Sequence, residues 1–166
     1  MRAALAVSVL ALLLASCPTT PELPDTGPEI GPDGAVDWIE IGTGELSFVP
    51  LDDGDPVELV HGPQGGYHLQ VTCRIHVANP DALTLHYRAF REDGTMLGDV
   101  GLAINERRLV REGMHWLRAA SDRLILDITG PADVVNTHLR IEAVLTNLAT
   151  PIAADSRRIF VVDEQP

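Results

Sequence analysis

The sequence predicts an all-β fold, an antiparallel β-sandwich that follows a signal peptide and a disordered linker. Apolar and polar residues alternate strictly along Tyr67–Val77, which is the pattern of a strand with one buried face. Further short alternating runs recur along the chain, and Gly, Pro, Asn and Asp separate them. Helical periodicity is almost absent, since only Asn105–Glu112 can be interpreted as a short helix, and it fits a strand or loop equally well.

The first segment, residues 1–16, has the pattern of a cleaved signal peptide. Arg2 supplies a short positive region, and Ala3–Leu14 is apolar and uncharged. This run is shorter than the roughly 20 residues that a membrane-spanning helix needs, and it fits the apolar core of a signal peptide. The run ends in Leu14-Ala15-Ser16-Cys17, which resembles the lipobox of bacterial lipoproteins. The resemblance covers this segment alone and implies a lipid on Cys17, typically including palmitate.

Lipidation of Cys17 would anchor the protein in a membrane of the cell envelope, facing the periplasm or the exterior. Each buried methylene of an acyl chain contributes about 0.8 kcal/mol, so two chains give stable anchoring. In the lipoprotein family, Asp after the Cys often signals retention in the inner membrane. Pro18 stands there, which favours the outer membrane. A plain secretory signal and an uncleaved anchor are the alternatives.

The second segment, residues 17–36, is predicted to be a linker between the lipid and the folded domain. Proline recurs through Pro18–Ala35 with acidic residues between, and apolar side chains are scarce. Such a segment buries too little surface to offset the entropy lost on ordering. Proline-rich chains extend at about 3.1 Å per residue, so this linker can hold the domain well clear of the membrane.

The third segment, residues 37–166, is predicted to be the β-sandwich domain. The Asn79-Pro80-Asp81 turn is expected to join Tyr67–Val77 to the next alternating run in a hairpin, and Arg91–Gly94 to close that run. The remaining predicted strands are Trp38–Ile41, Leu46–Leu51, Val57–His61, Leu83–Ala89, Val100–Ile104, Met114–Arg118, Leu124–Ile128, Thr137–Thr146 and Ile159–Val162.

The last part of the chain, Asp133–Val162, reads as a long strand, a Thr150-Pro151 turn and a final strand. This pattern resembles the closing hairpin of immunoglobulin-like modules on extracellular bacterial proteins. The resemblance implies an immunoglobulin-like architecture and no activity, because the Cys-Trp-Cys signature of true immunoglobulin domains is absent. A domain of this length can fold without a disulfide or a metal.

The charge of the chain argues against nucleic acid as a partner. The formal net charge is −12, and all 12 basic residues are arginine. Most of the excess acid lies before Arg74, in the linker and the first strands. Such a surface repels phosphate backbones.

Four histidines are candidate ligands for a partner or for Zn²⁺ or Cu²⁺: His61, His68, His76 and His86. Alternation places the last three on polar strand faces, and the expected hairpin would make His76 and His86 cross-strand neighbours. A metal site needs three or four convergent ligands, so solvated surface histidines are the simpler interpretation. Cys73 falls on the apolar face and is expected to be a buried, inert thiol.

Two loops carry residues that could support chemistry, and neither matches a known motif. Asp52–Asp55 places three carboxylates together but lacks the full spacing of a calcium loop, so a turn with solvated acids is expected. His61–His68 is rich in glycine, yet a strand rather than a helix follows it, so a tight inter-strand loop is expected.

These observations favour a membrane-tethered envelope lipoprotein that binds a protein or other envelope component, without enzymatic activity or a cofactor. No Gly-x-Ser-x-Gly or His-Glu-x-x-His motif occurs in the sequence. Two alternatives stay open: a periplasmic Zn or Cu protein that uses the four histidines, and a hydrolase whose site forms only in three dimensions.

Overall fold

A computed structural model describes residues 37–44, 47–77, 79–105, 108–113, 115–118 and 121–163. Across these residues the fold is all-β, as predicted, and a 3₁₀ turn lies at Pro131–Asp133. The strands are β1 (Trp38–Thr43), β2 (Val49–Pro50), β3 (Pro56–His61), β4 (Tyr67–His76), β5 (Leu83–Arg91), β6 (Met96–Ile104), β7 (Leu109–Glu112), β8 (His115–Arg118), β9 (Asp122–Leu126), β10 (His138–Asn147) and β11 (Thr150–Val162).

The strands form one curled sheet with the order β2-β1-β4-β3-β11-β10-β5-β6. The short strands β8 and β9 pair with the other edge of β4, and β7 pairs with β8. All neighbours are antiparallel except β3 and β11, which pair in parallel over Pro56–Glu58 and Phe160–Val162. The prediction of a purely antiparallel architecture is therefore wrong at this pair, since alternation within a strand carries no information about its partner's direction.

The curl brings β9 back to β6, the last strand of the sheet path. The Asp127 N–H donates to Leu97 O at 2.6 Å, and Gly98 lies close against the Ile125 carbonyl. A Cβ at Gly98 would stand 2.2 Å from that oxygen, so this approach requires glycine. The sheet thus encloses its core like an incomplete barrel.

The long alternation at Tyr67–Val77 forms the central strand β4, as predicted. Its core face carries Leu69, Val71, Cys73 and Ile75, all of which are fully buried. Burial of one such aliphatic side chain contributes about 1.5–3 kcal/mol. The facing layer comes from alternate residues of β5, β10 and β11, which join the same hydrophobic cluster.

The closing hairpin of β10 and β11 is present, but its turn differs from the prediction. Asn147 pairs with Thr150, and Leu148 and Ala149 between them have φ of 47° and 68°. Positive φ at both loop residues matches a type I′ turn, which suits the twist of a hairpin. The predicted Thr150-Pro151 turn is wrong because these residues already belong to β11.

Other strand boundaries differ modestly from expectation. β6 begins at Met96 and so runs four residues ahead of the predicted start at Val100. Within the described part of the predicted Leu46–Leu51 segment, which begins at Ser47, the strand covers Val49–Pro50. The ambiguous Asn105–Glu112 segment contains the strand β7.

Candidate functional site

The four candidate histidines lie apart on the sheet. His61, at the end of β3, places Nε2 3.2 Å from Asp163 Oδ2. His68 and His76 stand at opposite ends of β4, and His86 lies on β5. Within the ranges that the structure describes, no three His, Cys, Asp or Glu side chains converge as a metal site would require.

The expected pairing of His76 with His86 is wrong, because β4 and β5 are not neighbours in the sheet. His76 is opposite Trp38 on β1, and the two rings stack with centroids 5.7 Å apart. His86 is opposite Gly101 on β6 and Val144 on β10. In the sheet, β3, β11 and β10 lie between β4 and β5. The turn residues Asn79-Pro80-Asp81 do not indicate this separation.

The polar face of β4 is less exposed than its alternation predicts. His68, Thr72 and His76 are buried, with at most 9% of each residue exposed. Burial, reinforced by the positive charge of Arg123, holds the pKa of His68 below its ordinary value. Since side chains of the flanking strands cover this central strand, solvated histidines are the wrong description of His68 and His76.

The acidic loop Asp52–Asp55 holds the edge of β11. Asp53 Oδ1 accepts a hydrogen bond of 2.8 Å from the Arg158 N–H. The Gly54 N–H donates to Arg158 O at 2.6 Å. The loop thus caps backbone groups of β11 that would otherwise face solvent, which gives at least one of its acids a structural role.

The glycine-rich segment His61–His68 forms a tight loop between β3 and β4, as predicted. The Gly62 N–H donates to Gly66 O at 2.7 Å, which closes the loop across its neck. Gln64 is exposed at its tip, whereas His68 is buried in β4.

A groove of about 490 Å³ lies between β1 and the first half of β11. Asp37–Glu40 forms one wall, Pro151–Asp155 forms the other, and Arg157 stands at one end. Ile152 and Ala153 are half-buried and pack against the hydrophobic core. The groove therefore combines an apolar lining with the edges of two strands.

Asp155 closes one end of the groove. Its Oδ2 accepts a hydrogen bond of 2.8 Å from the Ile41 N–H of β1. Its Oδ1 accepts from the Ser156 N–H and from Arg157 Nη1. Arg157 Nε donates in turn to Leu51 O at 2.7 Å. This network of charge-assisted bonds ties β1 to β11, although the two strands do not pair.

Sequence reasoning missed this groove. Residues Thr150–Arg158 lack apolar alternation, so the last strand was predicted only from Ile159. The available signal was Pro151, because proline within a strand occurs on edges where its missing N–H is not needed.

Of the two cysteines, only Cys73 lies within the described residues. Cys17 and the linker lie outside the described residues. Cys73 is fully buried on the core face of β4, as predicted. Among the described residues, none forms a helix that is long and apolar enough to cross a membrane.

Compared with known proteins, this chain matches no protein-family model and no curated protein. Its function is therefore inferred from its residues and their geometry.

Proposed function

We propose that this protein is a lipid-anchored component of the cell envelope whose β domain binds another envelope component without enzymatic activity. The support for the anchor is the apolar run Ala3–Leu14 followed by Leu14-Ala15-Ser16-Cys17. The acidic, proline-rich composition of residues 17–36 suits a tether, since proline-rich sequences favour extended chains and acidic sequences are repelled by anionic lipid head groups.

We further propose that the domain is an immunoglobulin-like sandwich. In support, β4 pairs with β1, β8 and β9, while β11, β10, β5 and β6 follow one another in a second group. β3 pairs with both β4 and β11, as a strand that crosses from one layer to the other would do. An arrangement of two layers joined by β3 would agree with the resemblance noted at Asp133–Val162.

The observation that carries the binding role is the groove between β1 and β11. Binding sites are typically concave and largely apolar, with a few polar groups fixed in position. Ile152 and Ala153 supply apolar surface, and the Asp155–Arg157 pair supplies polar groups held by hydrogen bonds. Such a groove on a tethered domain suits capture of a partner in the envelope.

The anchor is tested by the mass of the mature N-terminal peptide from membrane-extracted protein, compared with a Cys17→Ser variant. The proposal predicts a peptide that begins at Cys17 with added acyl mass, absent from the variant. An unmodified N-terminus near this position would instead make the protein a free secreted domain.

The binding role is tested by recovering the protein from cross-linked envelopes and identifying what is retained. A retained component that is lost when Ala154→Arg fills the groove from an exposed position supports the proposal. Ala103→Arg, at an exposed position on the remote strand β6, is the matched control. An envelope that yields no partner, or one that both variants retain equally, would contradict it.

A further inference from the structure

We propose that the groove takes an extended, basic polypeptide segment of the partner, held by backbone hydrogen bonds to the edges of β1 and β11. This inference rests on the proposed binding function and names the class of ligand. Three features of the groove support the proposal: the direction of the backbone groups along β1 and β11, the hydrogen bonds that already cap neighbouring edge positions, and the charge of the lining residues.

On β11, every second residue directs its N–H and C=O away from β10. The Arg158 N–H and C=O bond to the Asp52–Asp55 loop, which fixes the direction of that residue. Strand alternation then directs Ser156 and Ala154 to the same edge. The Ser156 N–H is capped by Asp155, and its carbonyl by Arg157. Ala154 is the next position along the edge, and it is exposed in the groove wall.

On β1, the same alternation identifies Ile39. The Ile41 N–H donates to Asp155, and Ile41 O accepts from the Leu51 N–H, so both groups point away from β4. Ile39, two residues earlier, directs its N–H and C=O to the same side. No strand of the described chain pairs with β1 along this stretch, because β2 reaches only Gly42 and Thr43.

Among the described residues, two strand positions that face the groove have no ladder partner on that side: Ala154, which is exposed, and Ile39, of which 5% is exposed. Exposed edges pair readily with an added strand, and proteins usually protect them. Here the protection covers the neighbouring positions: the acidic loop caps Arg158, and side chains cap Ser156 and Ile41. Strand addition to a sheet edge is an established mode of peptide recognition, in which main-chain bonds supply affinity.

The charge of the groove selects a basic segment. Asp37 and Glu40 line the β1 wall, and the guanidinium of Arg157 is already held by Leu51 O and Asp155. Glu40 also lies 3.4 Å from Arg74, which neutralises part of its charge. With Asp155 included, the lining carries more acid than base, so Lys or Arg beside apolar residues complements it.

The test uses the full chain, purified from membranes in detergent, and a capped peptide of about eight residues that alternates Val and Arg, a typical strand length. Two variants separate backbone pairing from side-chain contact. Ala154→Pro removes the N–H that faces the groove, whereas Ala154→Val keeps it. Neither change removes an N–H directed at β10.

We expect the peptide to bind, and Ala154→Pro to weaken binding about tenfold while Ala154→Val changes it by less than about threefold. A peptide that alternates Val and Glu should bind the unmodified chain more weakly than the Val–Arg peptide does. If Ala154→Pro does not fold, a Val–Arg peptide N-methylated at alternate residues replaces it and should bind the unmodified chain about tenfold more weakly.

Absence of binding by the Val–Arg peptide, or equal binding of its N-methylated form, would overturn this inference. The binding function itself fails separately, when cross-linked envelopes yield no retained component. A partner retained in envelopes, together with a Val–Arg peptide that does not bind, would therefore keep the proposed function and reject strand addition.

Discussion

Replacing Asp155 with Ala is expected to lower the free energy of unfolding by about 3 kcal/mol. The side chain of Asp155 is 12% exposed, and it joins strands that have no ladder between them. Its removal deprives the Ile41 N–H of its acceptor and separates Arg157 from its carboxylate. The change therefore tests whether this single side chain holds β1 against β11.

The magnitude follows from two contributions. A hydrogen bond to a charged group contributes about 1.5–3 kcal/mol, and the 2.8 Å bond from the Ile41 N–H is of this kind. The pair with Arg157 is partly screened by solvent and adds up to about 1 kcal/mol. The bond from Arg157 to Leu51 O remains in the variant, which limits the loss.

The assay is reversible urea unfolding followed by tryptophan fluorescence, since Trp38 on β1 lines the groove. Asp99→Ala is the matched control, because this strand aspartate is 39% exposed and pairs with Arg88 at 3.4 Å. The free energy of unfolding of the Asp99→Ala control should fall by less than about 0.5 kcal/mol. Equal losses in the two variants would refute the assigned role of Asp155.

Three further predictions follow from the core, the curl and the buried histidine. Leu139→Ala, at a position 1% exposed, should cost about 2–5 kcal/mol in urea unfolding, and a loss below about 1 kcal/mol would contradict the described core. Gly98→Ala should destabilise the chain by more than about 1 kcal/mol, since its Cβ would meet Ile125 O, whereas Gly66→Ala has open space and should change stability by less than about 0.5 kcal/mol. Burial and a neighbouring arginine lower the pKa of His68, so the unfolded chain takes up a proton that the folded chain does not. Stability should therefore fall as the pH drops from 7 through the unfolded value of about 6.5, and His68→Gln should flatten that decline in unfolding curves recorded across this range.

Strand positions could be predicted from sequence wherever one face of the strand is buried. Tyr67–Val77 is the clearest case, because each apolar position of β4 enters the core. Partners could not be predicted in the same way, since alternation specifies which face is buried and not which strand lies beside it. The expected hairpin of β4 and β5 failed for this reason.

Burial of the second face of β4 also escaped prediction. His68 and His76 are polar side chains, yet both are buried, and the ring of Trp38 on β1 stacks on His76. The turn at Leu148–Ala149 was missed because neither residue is among those that favour positive φ. Local propensity was overridden in both places by the tertiary arrangement.

The groove was beyond sequence reasoning because its walls come from opposite ends of the domain. Ile41 and Asp155 are bonded across 114 positions of the chain. No local motif reports such a contact, and the wall around Ala154 lacks alternation. The lipid anchor could be predicted from sequence, because that prediction depends only on contiguous residues that end at Cys17.

We propose that a tethered domain engages its partner through the groove between β1 and β11. The most direct measurement is photo-crosslinking in intact envelopes, with a benzophenone side chain at position 154 and, as a control, at position 103 on the remote strand β6. We expect a discrete adduct from position 154 that is absent from position 103 and lost in the Cys17→Ser variant. No adduct from position 154, or the same adduct from both positions, would contradict it.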